Sequence, residues 1–178
     1  VEVKRELDAA GIAYDREMPV GAMIEVPSAA INADAIAKRV DFFSIGTNDL
    51  VQYVMAADRG NESVASLYQP TNPAVLWLMR HVIDAARRRG IMVGVCGESA
   101  SDPVVGVLWA AMGVDLLSMS ATYIPVVSAV LSRLTRADLD AYARIPVEMG
   151  NDVTAREIYD RCRAWLAEHV FDFENIAL

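Results

Sequence analysis

The sequence predicts an α/β fold: parallel strands with flanking helices, about half of a (β/α)8 TIM barrel, closed by an extra C-terminal helix. Three observations lead there. Four short apolar runs, at residues 20–26, 41–46, 91–96 and 116–120, have the length of strands and do not alternate with polar residues. That is the mark of strands covered on both faces. Helical patterns separate the runs, and such alternation implies parallel βα units. Three runs also end in groups able to bind a metal, bind an anion or move a proton: Glu25, then Asn48 and Asp49, then Cys96. Chemistry in such sheets sits at the C-terminal strand ends, so these groups point to one shared site.

Taken in order, Gly21-Ala22-Met23-Ile24 runs into Glu25, and Phe42-Phe43-Ser44-Ile45-Gly46-Thr47 runs into Asn48 and Asp49. Asn72-Pro73 then sets an N-cap and an N1 proline before a helix over 74–89. That helix ends in Arg87-Arg88-Arg89 before Gly90, which reads as a C-terminal cap complementing the helix dipole. The run to Cys96 follows. Asp102-Pro103 opens a second helix of the same kind over 104–112, closed by Gly113. After the fourth run comes a helix over 124–134, then a looser stretch, 144–152, holding Pro146 and Gly150. Thr154-x-x-Glu157 is a capping box that opens a final helix reaching about His169. Its Ile158, Cys162, Trp165 and Leu166 share a face that must pack on something.

Four βα units are half of the eight in a barrel of about 250 residues, and the chain has 178. It opens on Val1-Glu2-Val3 without a methionine. The expectation is therefore a single domain over residues 1–178, a piece of a longer protein.

Composition excludes several functions. An apolar fraction of 54% with 22% charged residues describes a globular chain with a real core. The net charge of −8 and the lack of a basic stripe argue against a nucleic-acid partner. No run is long enough for membrane insertion, and no signal-peptide pattern is present. Cys96 and Cys162 have neither metal spacing nor a disulfide framework, which makes a reducing cytoplasm the expected location.

Glu25 and Asp49 at neighbouring strand ends, with Arg59 ten residues beyond Asp49, make sense if a hard cation bridges to an anionic substrate. Mg²⁺ takes one or two carboxylates and completes its shell with water and substrate oxygens. Such an ion inverts the local charge of an acidic protein, and arginine supplies the bidentate clamp that phosphate favours. A plain ion pair accounts for the same residue types, and Asn48-Asp49 would also serve as an N-cap for a helix from Leu50. Cys96 is either a small buried hydrophobe or, between Gly94 and Gly97-Glu98 where backbone can approach a ligand, a reactive group. Ordinary thiols are protonated at neutral pH, so a cysteine can act as a general acid. His81 and His169, the methionines, and Trp77, Trp109 and Trp165 read as structural. No P-loop or dinucleotide fingerprint is present.

The segments Gly21-Ala22-Met23-Ile24-Glu25-Val26-Pro27, Phe42 to Tyr53, Asp58-Arg59-Gly60-Asn61 and Gly94-Val95-Cys96-Gly97-Glu98 together resemble the C-terminal domain of enzyme I. That is the phosphoenolpyruvate-protein phosphotransferase family of the bacterial sugar phosphotransferase system. The likeness runs from about residue 11 to 134, in order and spacing. It implies a phosphoenolpyruvate-binding (β/α)8 barrel with Mg²⁺, in which Glu25 and Asp49 match the metal carboxylates. Asn48 and Arg59 match contacts to the substrate phosphate, with Asp49 alongside, and Cys96 matches the proton donor that turns enolpyruvate into pyruvate. It implies further a phosphohistidine domain in the same full-length enzyme, an HPr-type phosphocarrier as partner, and a homodimer.

One loop departs from the pattern. Where the family carries a hydrophobic residue and then Ala-Gly-Asp after Cys-Gly-Glu, this chain has Ser99-Ala100-Ser101-Asp102. A serine in place of a glycine that needs positive φ would reshape the loop. The rival assignments are pyruvate phosphate dikinase or phosphoenolpyruvate synthase, the nitrogen-related paralogue of enzyme I, and a non-catalytic dimerisation module.

Overall fold

A computed structural model describes residues 2–176. After a helix α1 (Glu2–Ala9), the chain forms four strands: β1 (Gly21–Ile24), β2 (Phe42–Gly46), β3 (Met92–Cys96) and β4 (Leu116–Ser118). All three pairings are parallel and the spatial order is β1-β2-β3-β4, so each strand lies beside its sequence neighbours. The four expected strands are present with slightly shorter bounds. The sheet is open, and the parallel-unit reading stands without barrel closure.

The helices between the strands are α2 (Pro27–Ile31), α3 (Ala33–Ile36), α4 (Thr47–Met55), α5 (Pro73–Arg89) and α6 (Pro103–Met112). After β4 come α7 (Ile124–Leu131), α8 (Arg136–Tyr142), α9 (Ile145–Met149), α10 (Ala155–His169) and α11 (Phe173–Ile176). Helices α5 and α6 begin as expected, with Asn72 and Asp102 accepting the first backbone N–H groups and proline following each cap. Both end on a left-handed glycine, Gly90 and Gly113, the residue that adopts this geometry without strain. Arg87, Arg88 and Arg89 occupy the last turn of α5, and Arg88 clamps Asp34 of α3 bidentately, at 2.8 and 2.9 Å.

Elements pack on one face of the sheet only. Ile24, Phe43, Ile45, Val93 and Val95 are buried against the helices, while Met23, Met92 and Leu116 point the other way and are about half exposed. The uninterrupted apolar runs thus come with one covered face, not two. Behind that face, Tyr142 is fully buried and its hydroxyl donates to the Val104 carbonyl at 3.0 Å. Ile158, Cys162, Trp165 and Leu166 of α10 are all buried, as their spacing requires.

Four expectations need correction. The stretch 144–152 contains a helical turn, α9, started by Pro146 at its first turn and ended by Gly150 at φ 79°. The helix expected over 124–134 ends at Leu131, and α8 follows behind its own capping box, Thr135 with Asp138. Trp77 is not core: it is 62% exposed, stacked on His81 along the outer face of α5. Trp109 and Trp165 are core, as are Met79 and Met112, whereas Met18, Met23 and Met92 are about half exposed and depart from the core reading of the methionines.

Candidate functional site

Parallel register aligns the strand ends. Ile24 pairs with Ile45, and Gly46 pairs with Cys96, which pairs in turn with Ser118. Glu25, the next residue after β1, therefore flanks Gly46, and Cys96 lies on its other side. With neighbouring strands about 4.8 Å apart, the backbones of Glu25 and Cys96 are separated by roughly 10 Å. The gap between them is kept open by Gly46. A Cβ at that position would stand 2.9 Å from Glu25 Oε2 and 3.0 Å from Glu25 Cβ. The carboxylate occupies the recess that the missing side chain provides.

Helix α4 starts where β2 ends. Its N-cap is Gly46, which offers no side chain, so Asn48 and Asp49 lie inside the first turn and neither is the cap. The capping reading of this pair is thereby corrected. Uncapped backbone N–H groups and the positive end of the helix dipole face the same sheet end. The Glu98 N–H donates to Asn48 Oδ1 at 3.2 Å, which leaves the amide NH₂ as the donor turned to the surroundings. Tyr68 reaches the same residue from behind: its hydroxyl donates to the Asn48 carbonyl at 3.1 Å, with Oδ1 at 3.4 Å.

Arg59 is exposed on the loop after α4, its N–H held by Gln52 Oε1 at 3.2 Å. The phenol of Tyr68 records which charges gather here. Burial raises its pKa, the Glu98 and Asp49 carboxylates add to that, and the nearby Arg59 guanidinium pulls it back. Among the described residues, Glu25, Asp49 and Arg59 take part in no ion pair. The plain ion-pair reading of these residue types therefore has no support here.

Cys96 is partly buried on the open side of the sheet. Its Sγ faces Ser44 Oγ and the Ile45 carbonyl, both at 3.6 Å, and Met23 Sδ at 3.8 Å. A cleft of about 650 Å³ opens beside it, bounded by Glu98, Asp102, Ser118, Ser120 and Tyr123. Asn48 borders a separate hollow of about 240 Å³ between Tyr68 and Tyr159, and Glu98 and Asp102 line both. Glu25, Asp49 and Arg59 line neither. The structure thus brings Glu25, Asn48, Asp49 and Cys96 to one sheet end, with Arg59 at its margin.

Cys162, by contrast, is fully buried, and burial pushes its thiol up to about 11. His169 stacks on Trp165 at 3.8 Å, and His81 Nε2 lies 3.2 Å from the Ile31 carbonyl, so both histidines have structural places.

The departure at Ser99-Ala100-Ser101 does not strain the backbone. Ser101 sits at φ −81°, ψ −22°, ordinary helical space, and Glu98–Ala100 form a 3-10 turn. Positive φ is needed at Gly97, at 120°, where a Cβ would also strike Thr47 Oγ1 at 2.5 Å and Asn48 Oδ1 at 2.8 Å. Sequence reasoning missed Met23 and Ser44, although each lies two residues before a residue of interest at its strand end and so shares its face. It also missed Tyr68, Thr47 and Ser99, for which no local pattern gives notice.

A domain family described as PEP-utilising enzyme, PEP-binding domain, matches residues 1–136. A phosphoenolpyruvate-protein phosphotransferase of Geobacillus stearothermophilus is 50% identical over 158 residues, 89% of this chain and 27% of the relative. The protein of that name from Latilactobacillus sakei is 50% identical over 136 residues, 76% of this chain and 24% of the relative. That from Listeria monocytogenes is 44% identical over 168 residues, 94% of this chain and 29% of the relative. The chain spans about a quarter of the length of these transferases. The strand-end residues fall within the region that the domain family matches, and the chain belongs to that family of phosphoenolpyruvate-binding domains.

Proposed function

We propose that this chain is the phosphoenolpyruvate- and Mg²⁺-binding portion of a phosphoenolpyruvate-protein phosphotransferase. The observation that carries the reading is the release of Asn48 and Asp49 from any capping role at the sheet end that also holds Glu25 and Cys96.

The residues present fit a magnesium ion. The recess at Gly46 seats the Glu25 carboxylate, and Asp49 is the second hard oxygen donor. Two carboxylates and a shell finished by water and substrate suit this cation. When bound, it offsets the charge of a phosphoryl group in transfer. The α4 N–H groups and the Asn48 amide donate to phosphate oxygens, and Arg59 adds a charged fork from the margin. Cys96 then holds a proton for the methylene carbon of the enolate. As the S–H bond breaks, a C–H bond forms and pyruvate results. The hydrogen bond that Ser44 offers to the sulfur steadies the thiolate left behind.

In the longer protein the phosphoryl group passes to a histidine of another domain and onward to an HPr-type carrier, for sugar uptake in the cytoplasm. The enzyme acts there as a homodimer, and a further set of βα units completes the barrel over the open face. The names of the relatives support this reading over the dikinase and synthase alternatives.

The test is calorimetric titration of phosphoenolpyruvate into the chain with Mg²⁺ and with EDTA. Metal-dependent heat that falls in Glu25→Gln supports the proposal. A folded chain that gives no heat in either buffer refutes a working subsite here.

A further inference from the structure

Behind the front residues, three side chains form a hydrogen-bond chain with one direction. The indole Nε1–H of Trp109 donates to Ser99 Oγ at 3.1 Å. The Ser99 hydroxyl donates to Thr47 Oγ1 at 2.8 Å, and the Thr47 hydroxyl donates to the Cys96 carbonyl at 3.0 Å. Both ends fix the polarity, because an indole N–H can only donate and a carbonyl can only accept. Each hydroxyl therefore spends its single proton forward. Trp109 and Thr47 are buried, and no buried side-chain nitrogen or oxygen among the described residues lacks a partner. Removing the middle member takes from the indole N–H its side-chain acceptor, beside the hollow that Thr47 and Ser99 line.

The chain spans the site from behind. Trp109 belongs to α6 and Ser99 to the turn after β3, while Thr47 is the first residue of α4 and immediately precedes Asn48 and Asp49. Its last bond returns to Cys96, the final residue of β3. One relay thus ties the thiol's strand end to the turn that carries the phosphate and metal donors. In the turn after Cys96, Ser99 reaches α4 with its own side chain, while the Glu98 backbone N–H makes a second tie, to Asn48 Oδ1.

We infer that Ser99 is a positioning residue that, through Thr47, holds Cys96 at a fixed offset from the Asn48–Asp49 turn. A hydroxyl is required, since the position must accept from Trp109 and donate to Thr47 at once. The roles of Cys96, Asn48 and Asp49 rest on the function proposed above, whereas the relay itself does not.

The experiment compares wild type, Ser99→Ala and Ser99→Thr by iodoacetamide labelling at one pH, with each thiol followed separately by peptide mass. Cys162, fully buried, reports general loosening. The expected result in Ser99→Ala is a change of about threefold to tenfold in the Cys96 rate, the scale of one buried hydrogen bond. Cys162 stays unchanged, and Ser99→Thr returns the Cys96 rate to the wild-type value. The Trp109 indole proton, followed by NMR, exchanges faster in Ser99→Ala only. An unchanged Cys96 rate in a folded Ser99→Ala protein overturns the inference, as does equal acceleration of both thiols. Should Ser99→Ala fail to fold, Thr47→Val removes the last two bonds and keeps the indole bond to Ser99, and an unaltered Cys96 rate there is equally fatal. Titration of wild type with Mg²⁺ and phosphoenolpyruvate decides the functional reading by itself; labelling decides the relay whether or not heat is seen.

Discussion

The two faces of the sheet carry similar apolar residues and meet different surroundings. On one, Phe43, Ile24, Ile45, Val93 and Val95 are sealed by helices; on the other, Met23, Met92 and Leu116 stand about half exposed. The catalytic candidates follow the same division. Cys96 and Ser44 lie on the open side, while the Trp109–Ser99–Thr47 relay comes from the covered side. Rigidity is thus supplied from one face while the proposed reactive groups stand on the other, which is how a site is held to geometry while remaining reachable.

The sharpest way to test the division is a pair of substitutions, one on each face. Phe43→Ala empties a fully buried position, and urea unfolding should show a loss of about 3–5 kcal/mol. Leu116→Lys on the open face should cost less than about 1 kcal/mol. Equal losses would break the comparison and mean that a second copy of the chain covers the open face in solution.

Next in size is Gly46→Ala. Its φ of −81° suits alanine, so the backbone does not object. The added methyl displaces the Glu25 carboxylate from its recess, 2.9 Å away. Mg²⁺-dependent phosphoenolpyruvate binding should weaken about tenfold or more, equivalent to about 1.4 kcal/mol. A variant that binds as wild type would show that Glu25 is not held there.

Tyr68→Phe is gentler. It removes the hydroxyl that backs Asn48, and the affinity for phosphoenolpyruvate should fall by a factor of roughly 2–10, the worth of one such bond. An affinity equal to wild type would confine Tyr68 to packing.

The smallest effect belongs to the helix layer. Asp34 is held below the usual carboxylate range by hydrogen bonds from Arg88, Asp138 by the hydroxyl and backbone of Thr135, and Glu157 by the backbone and hydroxyl of Thr154. A depressed carboxyl stabilises the fold above its unfolded value and loses that contribution as pH falls through its folded one. Thermal stability should therefore slip as pH drops below the ordinary 4.5 of glutamate and 3.8 of aspartate. Asp138→Asn should flatten the slope slightly; a steeper slope would reverse the assignment.

Strand positions, the caps of α5 and α6 and the box at Thr154 were legible because each is a local signal: apolar run, Asn-Pro, Asp-Pro, Thr-x-x-Glu. The strand-end residues were legible for the same reason. What escaped depends on contacts distant in sequence. Tyr68 meets Asn48 across 20 residues, and Ser99 meets Thr47 across 52. Ser99 stands where the family carries a hydrophobic residue, and only the distant indole of Trp109 gives its hydroxyl a purpose. The open face was illegible too, since an apolar run says what should be covered and not by what.

The simple spatial order of the strands has a kinetic meaning. Every strand after β1 pairs with one already made, so no strand beyond the first pair waits for a later part of the chain before it can dock. Structure can then grow one βα unit at a time from the amino-terminal side, at the pace of synthesis on a ribosome. The loop-closure cost at each addition is that of a single crossover. A protein wired this way can be lengthened by whole units without rewriting the route by which the existing ones fold.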